Sequence, residues 1–186
     1  ARLLGISSKF GVEFDSLADV VSFCVAPSVL VYNIYCVELN TIVGSIFSFI
    51  PLIAGTVRLA KYNLESDEDN PKSYFIGLST PISTVTILAF MYFNNKIVGG
   101  GFYGDPRLGL SLVGVLGLLM LSPIHFPKAP LITFKSGHSN SLLLIILIVS
   151  SFSLIIWKGF ALLPICLGYI ITNTLLWVYR LRTTDF

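Results

Sequence analysis

The chain has 186 residues, 54% of them hydrophobic and only 12% charged, with a mean hydropathy of +0.83 and a net charge of +2. A soluble domain carries about 25% charged residues, so this composition excludes an ordinary soluble protein and points to a membrane-embedded one. A net charge of +2 gives no argument for a nucleic-acid partner, and Cys24, Cys36 and Cys166 lie in apolar stretches without zinc or redox spacing, where each reads as buried packing.

A membrane-spanning helix needs about 20 mostly apolar residues. Six segments qualify, running approximately over 11–37, 39–57, 75–95, 108–126, 141–157 and 159–179. They predict an all-α, polytopic helix bundle forming a single transmembrane domain over 1–186. Strands are not expected, because membrane strands alternate polar and apolar residues over shorter runs. Pro27, Pro51, Pro81 and Pro164 fall inside the segments, which membrane helices tolerate when neighbours re-satisfy the backbone.

The first segment differs from the other five in carrying acids, Asp15 and Asp19 among them. Gly11, Asp15 and Asp19 are spaced by four, which places them on one helix face with about 6 Å of rise per step. Two carboxylates on one stripe repel unless a cation or a proton lies between them. The plain alternative is a capping role for Asp15 and pairing of Asp19 with Arg2 or Lys9.

The second segment offers Gly44, Ser48 and Gly55 as small packing surfaces and ends at Arg58, which reads either as a flanking charge or as a ligand for an anion. The loop after it carries Glu65, Asp67, Glu68, Asp69 and Lys72, and its acids are expected to be solvated. His125 and His138 lack partners at metal-ligand spacing. The last two segments contain no acid or base apart from Lys158 between them, and they are expected to complete the bundle or pack at a subunit contact. With six alternating spans, nine of the 12 Lys and Arg fall on the side of the N-terminal end, the loops 58–74 and 127–140 and the tail 180–186, against three on the other. The positive-inside rule makes that first side cytoplasmic.

Ala1-Arg2, then eight residues to Gly11, three to Asp15 and three to Asp19: this pattern resembles the second half of the signature of CDP-alcohol phosphatidyltransferases, D-x2-D-G-x2-A-R-x8-G-x3-D-x3-D. The first half, with two Asp and a Gly, is expected immediately before Ala1, so that residues 1–19 hold part of the motif. Without that half, the polypeptide alone is expected to release no CMP. Within the family, the stretch from Phe14 to Pro27 is most similar to the phosphatidylserine synthases, with Cys24 standing where Gly is usual. The blocks from Arg58 to Asn63 and from Phe75 to Pro81 fit as well.

The resemblance implies transfer of a phosphatidyl group from CDP-diacylglycerol to L-serine with release of CMP, a step of phospholipid biosynthesis. It implies a divalent cation, Mg2+ or Mn2+, which suits carboxylate ligands and a pyrophosphate substrate. By resemblance Asp15 and Asp19 are metal ligands, and Asp19 is also the general base. Arg2 binds phosphate oxygens, and Gly11 lets the nucleotide approach the helix. The serine carboxylate needs a cation, for which Arg58 is the first candidate and Lys72, Tyr62 and Asn63 weaker ones. The resemblance further implies a homodimer in the lipid bilayer of the cell (inner) membrane with the site facing the cytoplasm. Two rival readings are the same chemistry on glycerol 3-phosphate or an inositol phosphate, and an ion-coupled transporter using Asp15 and Asp19. The broken helices in paired halves expected of a transporter are not evident.

Overall fold

The computed structural model describes residues 9–37, 41–65, 74–99, 101–127, 150, 152–154, 156–157 and 159–184. Its first helix is continuous but not uniform. α1 (Lys9–Val20) passes into a π-turn at Val21–Val25, then α2 (Ala26–Val31), then a second π-turn at Tyr32–Cys36. The junction residues Val20, Val25, Ala26, Val31 and Tyr32 all keep right-handed helical dihedrals, so the axis is not broken. Pro27 accounts for the stress in this stretch. It has no N–H to give to Phe23 O four residues earlier, and Thr84 Oγ1 donates to that carbonyl instead, at 2.8 Å.

α3 (Thr41–Ser48) and α4 (Ile50–Glu65) return across the bundle with a break at Phe49, two residues before Pro51. α5 (Thr80–Val98) and α6 (Pro106–Leu121) follow, and α7 (Leu162–Thr184) closes the described chain. Pro81 and Pro164 lie in the first turns of α5 and α7, where a missing N–H forfeits no intrahelical bond. Asp105 caps α6, its Oδ1 accepting from the Arg107 N–H at 2.7 Å ahead of the helix that Pro106 begins.

Among the described residues three stretches are long and apolar enough to cross a membrane, Phe14–Cys36, Ile42–Leu64 and Leu162–Arg182, and Pro106–Leu121 is a shorter apolar helix. The chain is thus a mostly helical, polytopic membrane protein. The segment expected over 141–157 falls largely outside the described residues. The core is an apolar cluster that includes Val31, Ala54, Leu78, Val113, Leu116 and Met120.

Among the described residues the helical bundle carries one short strand pair that hydropathy does not announce. β1 (Tyr74–Ile76) pairs antiparallel with β2 (His125–Pro127), with Phe75 opposite Phe126. Phe75 and Phe126 had been expected to begin and end two spanning helices. Instead the helices run over Thr80–Val98 and Pro106–Leu121, and the flanking residues leave them to pair across the bundle. The pairing continues as Gly77 N donates to Ile124 O at 2.8 Å and Leu78 N to Leu119 O at 3.0 Å. Gly77 has φ of 75°, and a Cβ there would lie 2.3 Å from Met120 O, so both backbone shape and space require glycine. α7 braces this strand pair. The Tyr169 ring stacks on Phe126 at 6.0 Å, and Trp177 Nε1 donates to His125 Nδ1 at 3.1 Å.

Candidate active site

Gly11, Asp15 and Asp19 lie along α1, and their spacing of four keeps them on one face of it. Gly11 and Asp15 are exposed and Asp19 is half-buried, so the stripe descends from solvent into the bundle. α1 and the π-turn after it pack on α4. A cross-helix bond fixes their register: Asn63 Nδ2 donates to Ser16 Oγ at 3.2 Å. Deeper down, Cys24 is fully buried, and a Cβ on Gly55 would lie 2.4 Å from its Sγ. Cys24, which replaces the small residue usual at its position in the resembled family, therefore occupies space that Gly55 of α4 leaves free.

Arg58 projects from the same helix and is 7% exposed. A charged group so far from water is expected to be paired. Its surroundings are two aromatic rings and an acid. The Tyr62 and Phe75 ring centroids stand 5.9 and 5.8 Å from Cζ, within cation–π range. Asp19 attracts it electrostatically across the α1–α4 interface, and no ion pair to it is formed among the described residues. Its Nε is buried without a hydrogen-bond partner. An arginine with an unsatisfied nitrogen, facing an acid stripe, is chemically prepared for an anion that the protein itself does not supply.

Of the residues singled out from the sequence, the structure therefore brings Asp19 and Arg58 to one interface, with Asp15 and Gly11 further along the same face. Arg2 and Lys72 lie outside the described residues, as does the acidic loop after Glu65. Asn63 is engaged with Ser16. Sequence reasoning did not find Phe75 as a neighbour of Arg58. Tyr62 had a legible signal, since it lies four residues after Arg58 on one helix, whereas Phe75 comes from a strand that local pattern does not announce.

Among the described residues no three His, Cys, Asp or Glu side chains cluster as metal ligands. Two carboxylates one helical turn apart still fit a hard divalent cation. Mg2+ in particular is commonly bound by one or two carboxylates, with waters and substrate phosphates completing its octahedron. The donor set here, oxygen only, suits Mg2+ or Mn2+ rather than a soft metal.

Comparison with known proteins identifies the family. Residues 1–179 match the CDP-alcohol phosphatidyltransferase family. A CDP-diacylglycerol–serine O-phosphatidyltransferase of Helicobacter pylori (strain ATCC 700392 / 26695) is 35% identical over 182 residues, covering 96% of this chain and 72% of that protein. The protein of the same name from Methanocaldococcus jannaschii is 35% identical over 156 residues, 84% of this chain and 69% of its own length. An archaetidylserine synthase of Methanothermobacter thermautotrophicus is 31% identical over 121 residues, 64% of this chain and 46% of its own length.

Proposed function

Because the chain belongs to the CDP-alcohol phosphatidyltransferase family, we infer that it moves a phosphatidyl group from CDP-diacylglycerol to L-serine, giving phosphatidylserine and CMP. It is a membrane enzyme of phospholipid biosynthesis. The observation that carries the choice of acceptor is the buried, incompletely satisfied Arg58 beside the Asp15–Asp19 stripe. The names of the relatives support the same choice, since those from Helicobacter pylori, Methanocaldococcus jannaschii and Methanothermobacter thermautotrophicus all specify serine.

In the mechanism that follows, Asp19 takes the proton from the serine hydroxyl, and a base must lie within hydrogen-bond reach of the proton it removes. The serine oxygen forms a bond to the phosphorus that bears diacylglycerol. The bond from that phosphorus to the bridging oxygen breaks, and CMP leaves with the electron pair. Arg58 receives the serine carboxylate through its planar fork, which orients the hydroxyl toward the phosphorus. Arg2 binds phosphate oxygens at the head of the motif, and Gly11 leaves the helix backbone open to the nucleotide. Lys72 adds positive charge for the acceptor. A divalent cation, Mg2+ or Mn2+, held by Asp15 and Asp19, would neutralise the pyrophosphate and stabilise charge on the leaving group.

The proposed site takes Asp15 and Asp19 from the second half of α1, Arg58 from the middle of α4 and Phe75 from β1, toward the end of the bundle that holds the strand pair. We assign that end to the cytoplasmic face of the cell membrane, on the excess of Lys and Arg in the loops of that side. Homodimer formation is proposed from the family resemblance. The exposed apolar side chains of α3 and α7, such as Ile46 and Leu175, suit contact with lipid or a second copy.

Release of CMP by the intact protein, in detergent with CDP-diacylglycerol and either L-serine or glycerol 3-phosphate, tests the reading. Serine-dependent release supports it, and release only with glycerol 3-phosphate overturns the acceptor assignment. No release with either alcohol removes the enzymatic reading.

A further inference from the structure

The distances around Arg58 define more than contact. Its Cζ lies 5.9 Å from the Tyr62 ring and 5.8 Å from the Phe75 ring, and the two rings lie 5.6 Å apart at an interplanar angle of 58°. The three points form a nearly equilateral triangle. The rings therefore do not sandwich the guanidinium, because a sandwich would set them about twice as far from each other as from the cation. Both stand on one flank of it, tilted to form a notch.

Burial in this cluster is inverted. The charged group is 7% exposed, while Tyr62 is 41% exposed and Phe75 is half-buried. Apolar packing alone would bury the rings and leave the charge near water. Here the rings are spent as a cover for a cation, and its Nε remains without a hydrogen-bond partner.

Phe75 is also held from behind. It pairs with Phe126 across the strand pair, and opposite residues of an antiparallel pair project to the same face. Phe126 is 1% exposed and stacks on Tyr169 of α7. The neighbouring His125 accepts a hydrogen bond from Trp177, also of α7. A half-buried ring is thus backed by the fully buried Phe126.

We propose that Phe75, together with Tyr62, is a positioning residue that holds the Arg58 guanidinium from one flank and directs its nitrogens to the acceptor's carboxylate, which makes the β1–β2 pair a determinant of acceptor selectivity. This rests on the reading that Arg58 receives the serine carboxylate. Two rings fix the place of the guanidinium. A free arginine would lose side-chain freedom each time it gripped an acceptor, and one held in advance loses less.

Steady-state kinetics on the intact protein test the proposal with Phe75→Leu, Phe75→Tyr, Arg58→Ala and the double variant Arg58→Ala/Phe75→Leu. Phe75→Leu should lower kcat/KM for serine about three- to thirtyfold, the range of a partly to fully desolvated cation–π contact. The KM for CDP-diacylglycerol should stay unchanged. Phe75→Tyr, which keeps the ring, should behave as the parent. In the Arg58→Ala background, Phe75→Leu should add no further loss for serine, because the two residues act as one unit. The proposal is overturned if Phe75→Leu impairs both substrates equally, if Phe75→Tyr is as impaired as Phe75→Leu, or if the double variant loses the sum of the single effects. A selective serine defect in Arg58→Ala alongside a silent Phe75→Leu overturns the positioning role alone. A silent Arg58→Ala overturns the carboxylate role and the positioning role together.

Discussion

Replacing Arg58 tests the acceptor assignment directly. The side chain is 7% exposed and backed by two rings, so a carboxylate that meets it does so largely out of water. A hydrogen bond to a charged group in such a setting contributes about 1.5–3 kcal/mol. At about 1.4 kcal/mol per decade, that is roughly ten- to hundredfold in apparent affinity. Arg58→Ala should therefore raise KM for serine by this factor and leave KM for CDP-diacylglycerol nearly unchanged. Arg58→Lys should fall between, since an ammonium keeps the charge but lacks the planar fork. Arg58→Met keeps the length and drops the charge. Because Arg58 also packs on the Tyr62 and Phe75 rings, the melting temperature of each variant is read beside its kinetics, so that lost packing is told apart from a lost acceptor contact. The assay is CMP release with one substrate varied and the other saturating. An equal rise in both Michaelis constants would refute the reasoning, because it would mean that Arg58 supports the site as a whole and does not grip the acceptor.

Asp19→Asn preserves size and removes basicity. It should lower turnover about 10²–10⁴-fold with CDP-diacylglycerol binding largely retained, and near-normal turnover would make Asp19 structural. Chelation with EDTA should abolish CMP release, with recovery on addition of Mg2+ or Mn2+, and full activity in excess chelator would exclude the metal role given to Asp15 and Asp19. Gly55→Ala puts a methyl 2.4 Å from Cys24 Sγ and should destabilise the protein by about 1–3 kcal/mol, the usual range for overpacking. Cys24→Gly in the same chain should restore the melting temperature, and failure to do so would show that the two positions are not coupled.

How much of this was legible depended on the range of the interaction. The acid stripe, and the short reach from Arg58 to Tyr62, follow from helical spacing within a single segment. The positions of the apolar helices followed from hydropathy, with the ends least well placed. The strand pair was not legible. Its strands are three residues each, they come from chain positions some fifty residues apart, and they continue apolar runs that have no period of their own. Phe75 and Phe126 look like the last turns of membrane helices for that reason. The role of α7 was hidden in the same way, because it acts on β2 through Tyr169 and Trp177, residues that resemble ordinary membrane aromatics.

The two halves of the site also share a support that no single segment reveals. Asp19 lies two residues before the π-turn at Val21–Val25, and π-turns are often found at functional sites. This one lies directly before Pro27, whose missing N–H leaves Phe23 O to be satisfied from outside the helix, and Thr84 of α5 does so. α5 begins at Thr80, four residues after the strand that carries Phe75. Between them lies the turn at Gly77 and Leu78, tied by backbone bonds to Ile124 and Leu119. The segment from Phe75 to Thr84 therefore touches the acid helix at one end and Arg58 at the other. A proline that would only weaken a helix elsewhere here sets the register between the strand pair and the helix of Asp19. The spacing of Asp19 and Arg58 is thus tied to the same short stretch of backbone, which would hold the proposed base and the proposed acceptor contact in register.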